Sequence, residues 1–258
     1  MIPRVINQIW LGSFDTVTTK LQEKLKASLS VSEYRLWTDN DASKITSPYF
    51  DGVLTDTELW NASTSFAMKS DLLRYLILDE RGGWYVDSDF IMKRDIGEIF
   101  GDSSLTVAAE SMWYTNSIIG ASGKNEFLMA LNAEIWNRNR SLEMINKNRS
   151  ILEITGPIFF TKVLTFGDWH VHPKTRIIPP SFFVMQPDYD KEWMRKVRPE
   201  LLDKEGYPVG SIGRHLYSAS WKSVRLEKFI PVRSSVNFLI KLKRRIRIRT
   251  RIRLFLRG

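Results

Sequence analysis

The hydrophobic pattern at the start of the chain changes from a strand period to a helix period and back. Residues 5–11 form a short apolar run that a glycine closes, which predicts a buried strand with a sharp exit. Leucines at a helical spacing predict an amphipathic helix over residues 17–29. Residues 34–37 alternate and end at a Thr-Asp-Asn turn, which predicts a second strand. A strand, a helix and a strand in this order predict the opening of a parallel sheet.

The clearest helical pattern runs from Ser63 to Asp79. Any of the hydroxyl residues at positions 63, 64 and 65 can cap its N-terminus by accepting a hydrogen bond from a backbone N–H. Two glycines at positions 82 and 83 are expected to end it, because glycine adopts the backbone conformations of helix C-termini at little cost. The side chains predicted to face the core are Phe66, Leu72, Leu73, Leu76 and Ile77.

This helix also has a polar side. Ser70, Asp71 and Arg74 lie three or four residues apart, so they are neighbours on the helix surface. The double glycine leads directly into the apolar run of residues 84–86, which predicts a buried strand. We therefore expect the polar side of the helix to lie near the end of that strand.

Two carboxylates, Asp87 and Asp89, follow this strand. Residues i and i+2 of a regular strand point to the same face, so the two carboxylates can act together at the end of this strand. Ligands of open α/β sheets bind at the carboxyl ends of strands. Hard oxygen ligands suit Mg²⁺ or Mn²⁺, which can neutralise a diphosphate. The alternative is an ordinary surface turn, in which Asp-Ser-Asp is common; the buried strand and the polar helix side favour a metal site.

The remaining pattern continues an α/β arrangement. Residues 105–109 and 117–120 predict strands, residues 126–136 predict a helix, and a Gly-Pro turn predicts another helix that ends near Leu164. Short strands are expected among the many prolines, glycines and aromatic residues of positions 168–220. With 258 residues and 43% hydrophobic residues, the chain suffices for one large α/β domain, predicted over residues 1–235.

The net positive charge of the chain comes from its last segment. Nine of the 38 basic residues and no acidic residue lie in residues 236–258, so residues 1–235 balance 29 basic against 29 acidic residues. Apolar residues alternate with these cations, and that mixture suits an anionic membrane surface. We therefore predict a basic amphipathic tail that forms a peripheral membrane segment. A non-enzymatic membrane- or nucleic-acid-binding protein that acts through this tail is the alternative function.

Other compositional features predict the compartment. The chain has no cysteine, which fits a reducing environment. Its first residues lack the charged and apolar regions of a signal peptide, and no apolar run approaches the length of a spanning helix. The expected location is the cytoplasm, at the inner face of the membrane.

Three segments of the chain resemble family 32 glycosyltransferases. They are IPRVINQIWLG at residues 2–12, SFAMKSDLLRYLILDERGGWYVDSDF at residues 65–90 and TGP at residues 155–157, and the resemblance extends over residues 2–221. This family is distantly similar to the clostridial glucosylating toxins and to yeast-type initiating mannosyltransferases. The resemblance implies a GT-A fold, with a Rossmann-like nucleotide-binding sheet continuous with a smaller acceptor-side region. It also implies a UDP- or GDP-linked sugar donor, Mn²⁺ or Mg²⁺, and retention of anomeric configuration.

The resemblance also implies roles for individual residues. Trp10 would stack on the nucleotide base, and Asp71 and Arg74 would contact the donor sugar. The implied metal ligands are Asp87, Asp89 and His215. The implied catalytic residues are Asp71, Arg74, Asp87 and Asp89. The implied donor-binding residues are Trp10, Asp71, Arg74, Tyr85, Asp87, Asn116, Ser220 and Trp221.

Several of these residues have an ordinary structural alternative. Asp71 and Arg74 could form only an i,i+3 ion pair. A tryptophan such as Trp10 in an apolar run is more often core, and a lone histidine such as His215 is usually structural. The family often has a histidine where this chain has Asn7, so no role is assigned to that position.

The implied reaction can proceed in two ways. A double displacement needs a carboxylate nucleophile, for which Glu110 and Asp71 are the candidates. A same-face attack, in which the leaving phosphate takes the acceptor proton, needs none, and the resemblance favours it. An aspartate phosphatase is a further alternative, but such enzymes follow the Asp-X-Asp motif with a small hydroxyl residue and this chain has Phe90. The predicted function is transfer of a hexose to a glycan or lipid-linked acceptor in bacterial surface polysaccharide synthesis.

Overall fold

A computed structural model gives the fold of the protein. It describes residues 1–13, 16–110, 113–180, 182–184, 200 and 209–215. Two predicted donor-binding residues, Ser220 and Trp221, lie outside the described residues. The tail of residues 236–258 and the predicted domain boundary before it also lie outside them, so these remain predictions.

Strands and helices alternate along most of the described chain. The strands are β1 Val5–Ile9, β2 Glu33–Trp37, β3 Gly83–Val86, β4 Phe90–Met92, β5 Leu105–Ala109, β6 Tyr114–Ala121, β7 Thr175–Ile178, β8 Phe183–Val184 and β9 Gly213–His215. The helices are α1 Thr16–Ala27, α2 Asp39–Ala42, α3 Glu58–Ala62, α4 Phe66–Arg81, α5 Ile96–Phe100, α6 Glu126–Ile135, α7 Arg138–Asn146, α8 Ile151–Ile154 and α9 Pro157–Phe166. The predicted α/β class is confirmed.

The described strands form one large sheet and one small sheet. The large sheet has the order β2-β1-β3-β6-β5-β7. β1 is parallel to both β2 and β3, as the opening pattern predicted, and β7 is parallel to β5. β6 runs antiparallel to both of its neighbours, β3 and β5. The carboxyl ends of β1 and β3 therefore lie at the same edge as the amino end of β6, and this edge carries the site described below.

The small sheet attaches a distant segment to the Asp-X-Asp region. Its order is β4-β9-β8, and β4 begins directly after the Asp-X-Asp motif. In the antiparallel pairing of β4 with β9, Phe90 lies opposite His215. Phe90 is fully buried and packs edge-on against Phe183 of β8, with ring centroids 5.9 Å apart. The small sheet thus fixes His215 beside the two aspartates.

Successive side chains of the central strands enter two different hydrophobic clusters. Tyr85 and Ile119 belong to the cluster that contains α4, whereas Trp84 and Ile118 belong to a second cluster. This division follows from the alternation of side chains along a strand. Because Tyr85 faces α4, the polar side of that helix and the end of β3 meet.

Helix α4 follows its predicted limits closely. Ser65 is its N-cap, since the Ser65 hydroxyl accepts a hydrogen bond from the Met68 backbone N–H. Gly82 ends it with a φ of 67°, a conformation that side chains with a Cβ rarely adopt. One core prediction is wrong. The Phe66 side chain is 54% exposed, because at the first helical position it lies over Gly12 at the surface.

No helix within the described ranges is both long and apolar enough to cross a membrane.

Candidate active site

The turn after β3 brings the two aspartates to the same edge of the sheet. The Phe90 N–H donates to the Asp87 carbonyl at 3.1 Å, which closes the turn. The Gln8 side-chain amide of β1 donates to the same carbonyl at 3.1 Å. The Asp87 N–H donates to the Ser117 carbonyl of β6 at 2.8 Å. The turn is therefore held by both strands that flank β3, at the edge of the sheet where the two carboxylates lie together.

Asp87, Asp89 and His215 form a candidate metal site. One ligand atom from each residue lies within 4.8 Å of the others. His215 Nε2 is 2.9 Å from Asp89 Oδ1 and 3.9 Å from Asp87 Oδ2. The His215 ring stacks on Phe90 with centroids 4.7 Å apart and planes at 10°. Two carboxylates and an imidazole fit a divalent cation, and the imidazole favours Mn²⁺ over Mg²⁺.

Arg74 connects this cluster to the polar side of α4. Its guanidinium, which is buried, lies 3.2 Å from Asp71 Oδ1 and 3.3 Å from Asp87 Oδ1. It donates to the backbone carbonyl of Asn116 at 2.6 Å and lies over the Tyr85 ring at 4.2 Å. The i,i+3 ion pair with Asp71 does exist, but the additional contact with Asp87 shows that Arg74 also belongs to the Asp-X-Asp site. Arg74 therefore supplies positive charge beside the candidate metal ligands.

Asp71 is buried and its carboxylate is surrounded by donors. Asn116 Nδ2 donates to Oδ1 at 2.8 Å, and the Thr155 hydroxyl donates to Oδ2 at 2.8 Å. Burial raises the pKa of Asp71 to about 6, although Arg74, Thr155 and Asn116 each act to lower it.

The ionisation of the other site residues reflects the same crowding. Burial raises the pKa of Asp87, while Arg74 acts against that rise. Burial alone would lower the pKa of His215, but its hydrogen bond with Asp89 and the nearby carboxylates raise it overall. The Tyr85 hydroxyl donates to Asp87 Oδ1 at 2.6 Å, so this predicted donor-binding residue orients an Asp-X-Asp carboxylate. Closely spaced like charges of this kind are typical of sites that bind a cation.

Trp10 lies at the end of β1, at the same edge of the sheet. Its side chain is half-buried and outside the two core clusters, so the core alternative does not describe it. The indole N–H donates to the Ser13 carbonyl at 2.9 Å. Next to it, the Gly12 N–H donates to Asp39 Oδ2 at 2.8 Å. The role in base stacking that the resemblance implied for Trp10 remains a prediction.

Asn7 has a structural role. Its Oδ1 accepts from the Trp37 indole N–H at 2.9 Å, and its Nδ2 donates to the Trp84 carbonyl at 3.1 Å. The side chain therefore connects the two strands that flank β1, and it is buried within the sheet.

The two candidate nucleophiles are both engaged. The Glu110 carboxylate accepts a 2.6 Å hydrogen bond from the Trp113 indole N–H. Asp71 has a donor on each oxygen, as described above.

The sequence did not indicate three residues that hold this site. Gln8 fixes the Asp87 carbonyl, Tyr75 donates to the Thr155 carbonyl at 2.8 Å, and Thr155 donates to Asp71. A buried polar residue within an apolar pattern was the available signal for Gln8 and Tyr75. Thr155 belongs to the TGP segment, but its partner could not be identified from local sequence.

Comparison with known proteins shows which proteins the site region is similar to. Residues 16–107 match the family described as "Glycosyltransferase sugar-binding region containing DXD motif", and this range includes the two aspartates, Asp71 and Arg74. A curated relative, the uncharacterized glycosyltransferase L373 of Acanthamoeba polyphaga mimivirus, is 26% identical over 104 residues, which are 39% of this chain and 41% of that protein. The chain thus matches less than half of the length of that relative.

Solved structures share the fold at low identity. The UDP-bound glycosyltransferase domain of the YGT toxin has a TM-score of 0.51 and 10% identity, over 68% of this chain and 79% of that one. Its ligand-free form also has a TM-score of 0.51 and 10% identity, over 68% of this chain and 80% of that one. The chain has a GT-A fold, and its residues 16–107 match a glycosyltransferase sugar-binding region that contains a DXD motif, as the resemblance recognised in the sequence predicted.

Proposed function

We propose that this protein is a metal-dependent, retaining glycosyltransferase that moves a hexose from a nucleotide sugar to an acceptor hydroxyl. The observation that carries the proposal is the convergence of Asp87, Asp89 and His215 beside the buried guanidinium of Arg74. Carboxylates and an imidazole suit a divalent cation, and a cation next to an arginine suits a diphosphate. UDP is the first nucleotide to test, because the structural neighbour of the same fold was solved with UDP.

The chain's own residues supply binding and orientation. Asp87, Asp89 and His215 would hold the metal ion, which when bound would offset the charge that develops on the leaving diphosphate. Arg74 adds a fixed positive charge at the same place, in a buried environment where electrostatic effects are strong. Asp71 would accept a hydrogen bond from a sugar hydroxyl, and Trp10 would stack on the base. These groups would fix the orientation of the donor while an acceptor hydroxyl approaches the anomeric carbon of the donor sugar.

The contacts of the two candidate nucleophiles support a same-face attack. Asp71 is buried, and both of its oxygens accept hydrogen bonds from side chains of the fold. Glu110 accepts from the Trp113 indole. Hydrogen bonds to a carboxylate oxygen make it a weaker nucleophile, whereas same-face attack requires only the leaving phosphate to take the acceptor proton.

The acceptor and the location are proposed from sequence. The nine cations and interspersed apolar residues of positions 236–258 suit an anionic membrane surface, which would bring the enzyme to a lipid-linked acceptor. A glycan or lipid-linked oligosaccharide of bacterial surface polysaccharide synthesis fits that placement. The enzyme would then act at the inner face of the membrane, without a specific nucleic-acid partner.

A donor panel tests the proposed activity. UDP- and GDP-hexoses are screened with Mn²⁺ for thermal stabilisation and for hydrolysis of the donor, which measures the reaction without a known acceptor. At least one nucleotide sugar should stabilise the protein and be hydrolysed only when metal is present. If no nucleotide sugar in the panel binds with metal present, the proposed function is wrong.

A further inference from the structure

Asp71 and three other buried residues form a closed ring of hydrogen bonds. Asn116 Nδ2 donates both to Asp71 Oδ1 and to the Tyr75 hydroxyl, each at 2.8 Å. The Tyr75 hydroxyl donates to the Thr155 carbonyl at 2.8 Å, and the Thr155 hydroxyl donates to Asp71 Oδ2 at 2.8 Å. Each of these four side chains is at most 5% exposed. Both Nδ2 hydrogens of Asn116 are used, so the ring defines a single orientation for each member.

The ring spans three parts of the fold that are far apart in sequence. Asp71 and Tyr75 lie on α4, Asn116 lies on β6, and Thr155 lies in the turn between α8 and α9. Thr155 is held in that turn because its N–H donates to the Ile151 carbonyl. A Cβ at the following residue, Gly156, would lie 2.9 Å from the Leu152 Cα, so the turn approaches the preceding helix too closely for any other residue.

The contacts of Asp71 with described residues do not use all of its acceptor positions. An ionised carboxylate has about four acceptor positions. Asn116 and Arg74 occupy Oδ1, and Thr155 occupies one position on Oδ2. Among the described residues, about one acceptor position of Asp71 therefore has no donor, and it lies on the oxygen that Thr155 also contacts.

We propose that Thr155 is a positioning residue for the sugar of the donor. Its hydroxyl orients Asp71 so that Asp71 Oδ2 accepts a hydrogen bond from one sugar hydroxyl. Thr155 touches no substrate itself and acts through Asp71. The inference rests on the proposed function, because it needs a sugar next to Asp71. It adds a residue outside the matched family region of residues 16–107 to the machinery of sugar binding.

The test compares binding of a nucleotide with and without its sugar. The ligands are the UDP- or GDP-hexose that the wild-type protein binds most tightly in the donor panel, and the matching nucleoside diphosphate, both with Mn²⁺. Thr155→Val keeps the shape of the side chain and removes the donor. It should weaken binding of the nucleotide sugar about tenfold in calorimetry, the scale of one hydrogen bond to a charged group, and leave binding of the nucleoside diphosphate within about twofold.

Two further variants separate positioning from general damage. Thr155→Ser retains the hydroxyl and should restore sugar-dependent binding. Thr106→Val is the matched control, because Thr106 is also 0% exposed and its hydroxyl contacts Ser103 rather than the site. It should leave both affinities unchanged. If Thr155→Val does not fold, Thr155→Ala is measured in the same way with the same expected outcomes.

The outcomes distinguish this inference from the proposed function. If the wild-type protein binds a nucleotide sugar and Thr155→Val binds it equally well, the inference is overturned and the proposed function stands. Equal weakening of sugar-bearing and sugar-free nucleotide would also overturn it, because that result indicates a general distortion. Absence of nucleotide-sugar binding by the wild-type protein would overturn the proposed function and this inference with it.

Discussion

The substitution Asp89→Asn tests the metal site most directly. The amide retains the shape of the carboxylate and loses its charge. Asp89 is one of three candidate ligands, and its carboxylate lies 2.9 Å from His215 Nε2. Contacts of a charged group contribute about 1.5–3 kcal/mol, which corresponds to roughly 10–100-fold in affinity. We take the upper end, because the whole charge is removed, and expect Mn²⁺ affinity to fall about 100-fold.

The affinity change translates into a measurable shift in thermal stability. At a Mn²⁺ concentration 100 times its Kd, the wild-type protein gains about 2.7 kcal/mol from binding. At the same concentration the variant would gain only about 0.4 kcal/mol. The difference of about 2.3 kcal/mol corresponds to roughly 5–9 °C in Tm for a domain of this size. Without metal, the two proteins should unfold within about 1 kcal/mol of each other, because the lost ion pair is offset by relief of repulsion from Asp87.

The assay is thermal unfolding with and without Mn²⁺, together with metal-dependent donor hydrolysis. Asp102→Asn is the control, since Asp102 is an exposed aspartate that pairs with Arg176 at 3.0 Å, outside the site. It should keep the full metal-dependent shift. If Asp89→Asn shows the same Mn²⁺-dependent shift in Tm as the wild-type protein and remains metal-dependent, Asp89 is not a ligand and the reasoning is refuted.

Three other predictions concern the donor, the stability of the fold and the tail. Arg74→Lys keeps the charge but loses the planar guanidinium that reaches both Asp71 and Asp87. Affinity for the nucleotide-sugar donor should therefore fall about tenfold or more in calorimetry. Unchanged affinity would mean that these ion pairs have only a structural role. Asp95→Asn should lower the free energy of unfolding at pH 7 by about 1–3 kcal/mol in urea titrations, because the buried Asp95 carboxylate accepts three backbone N–H groups through one oxygen. Burial alone would raise the pKa of Asp95, but hydrogen bonds lower it overall from 3.8. The stabilisation that Asp95 provides is therefore present above about pH 4 and is lost as pH falls through the folded-state pKa. The unfolding free energies of the wild type and the variant should converge at acid pH, and a constant difference between them would contradict this account. Truncation after residue 235 should abolish salt-sensitive sedimentation with anionic liposomes and leave donor hydrolysis intact, whereas binding to RNA but not to liposomes would favour the alternative nucleic-acid function.

Local patterns in the sequence predicted most of the fold. The strand and helix periods of the opening segment, the limits of α4 and its Ser65 cap follow from interactions between residues close in sequence. The exposure of Phe66 is the exception, because the periodicity places it on the core side while the first turn of the helix ends at the surface.

The sequence alone determined the fold class and the aspartate pair, and it carried the resemblance to a glycosyltransferase sugar-binding region. The resemblance also indicated His215, but the sequence did not indicate Gln8 or Thr155 and could not show how these distant side chains meet at the site. His215 lies 126 residues from Asp89, Thr155 lies 84 residues from Asp71, and Gln8 lies 79 residues from Asp87. Those contacts depend on sheet order and strand register, which are set by packing of the whole chain rather than by local propensity. Pairing of β4 with β9 decided that an imidazole faces the carboxylates, and the turn after α8 decided that a hydroxyl holds Asp71.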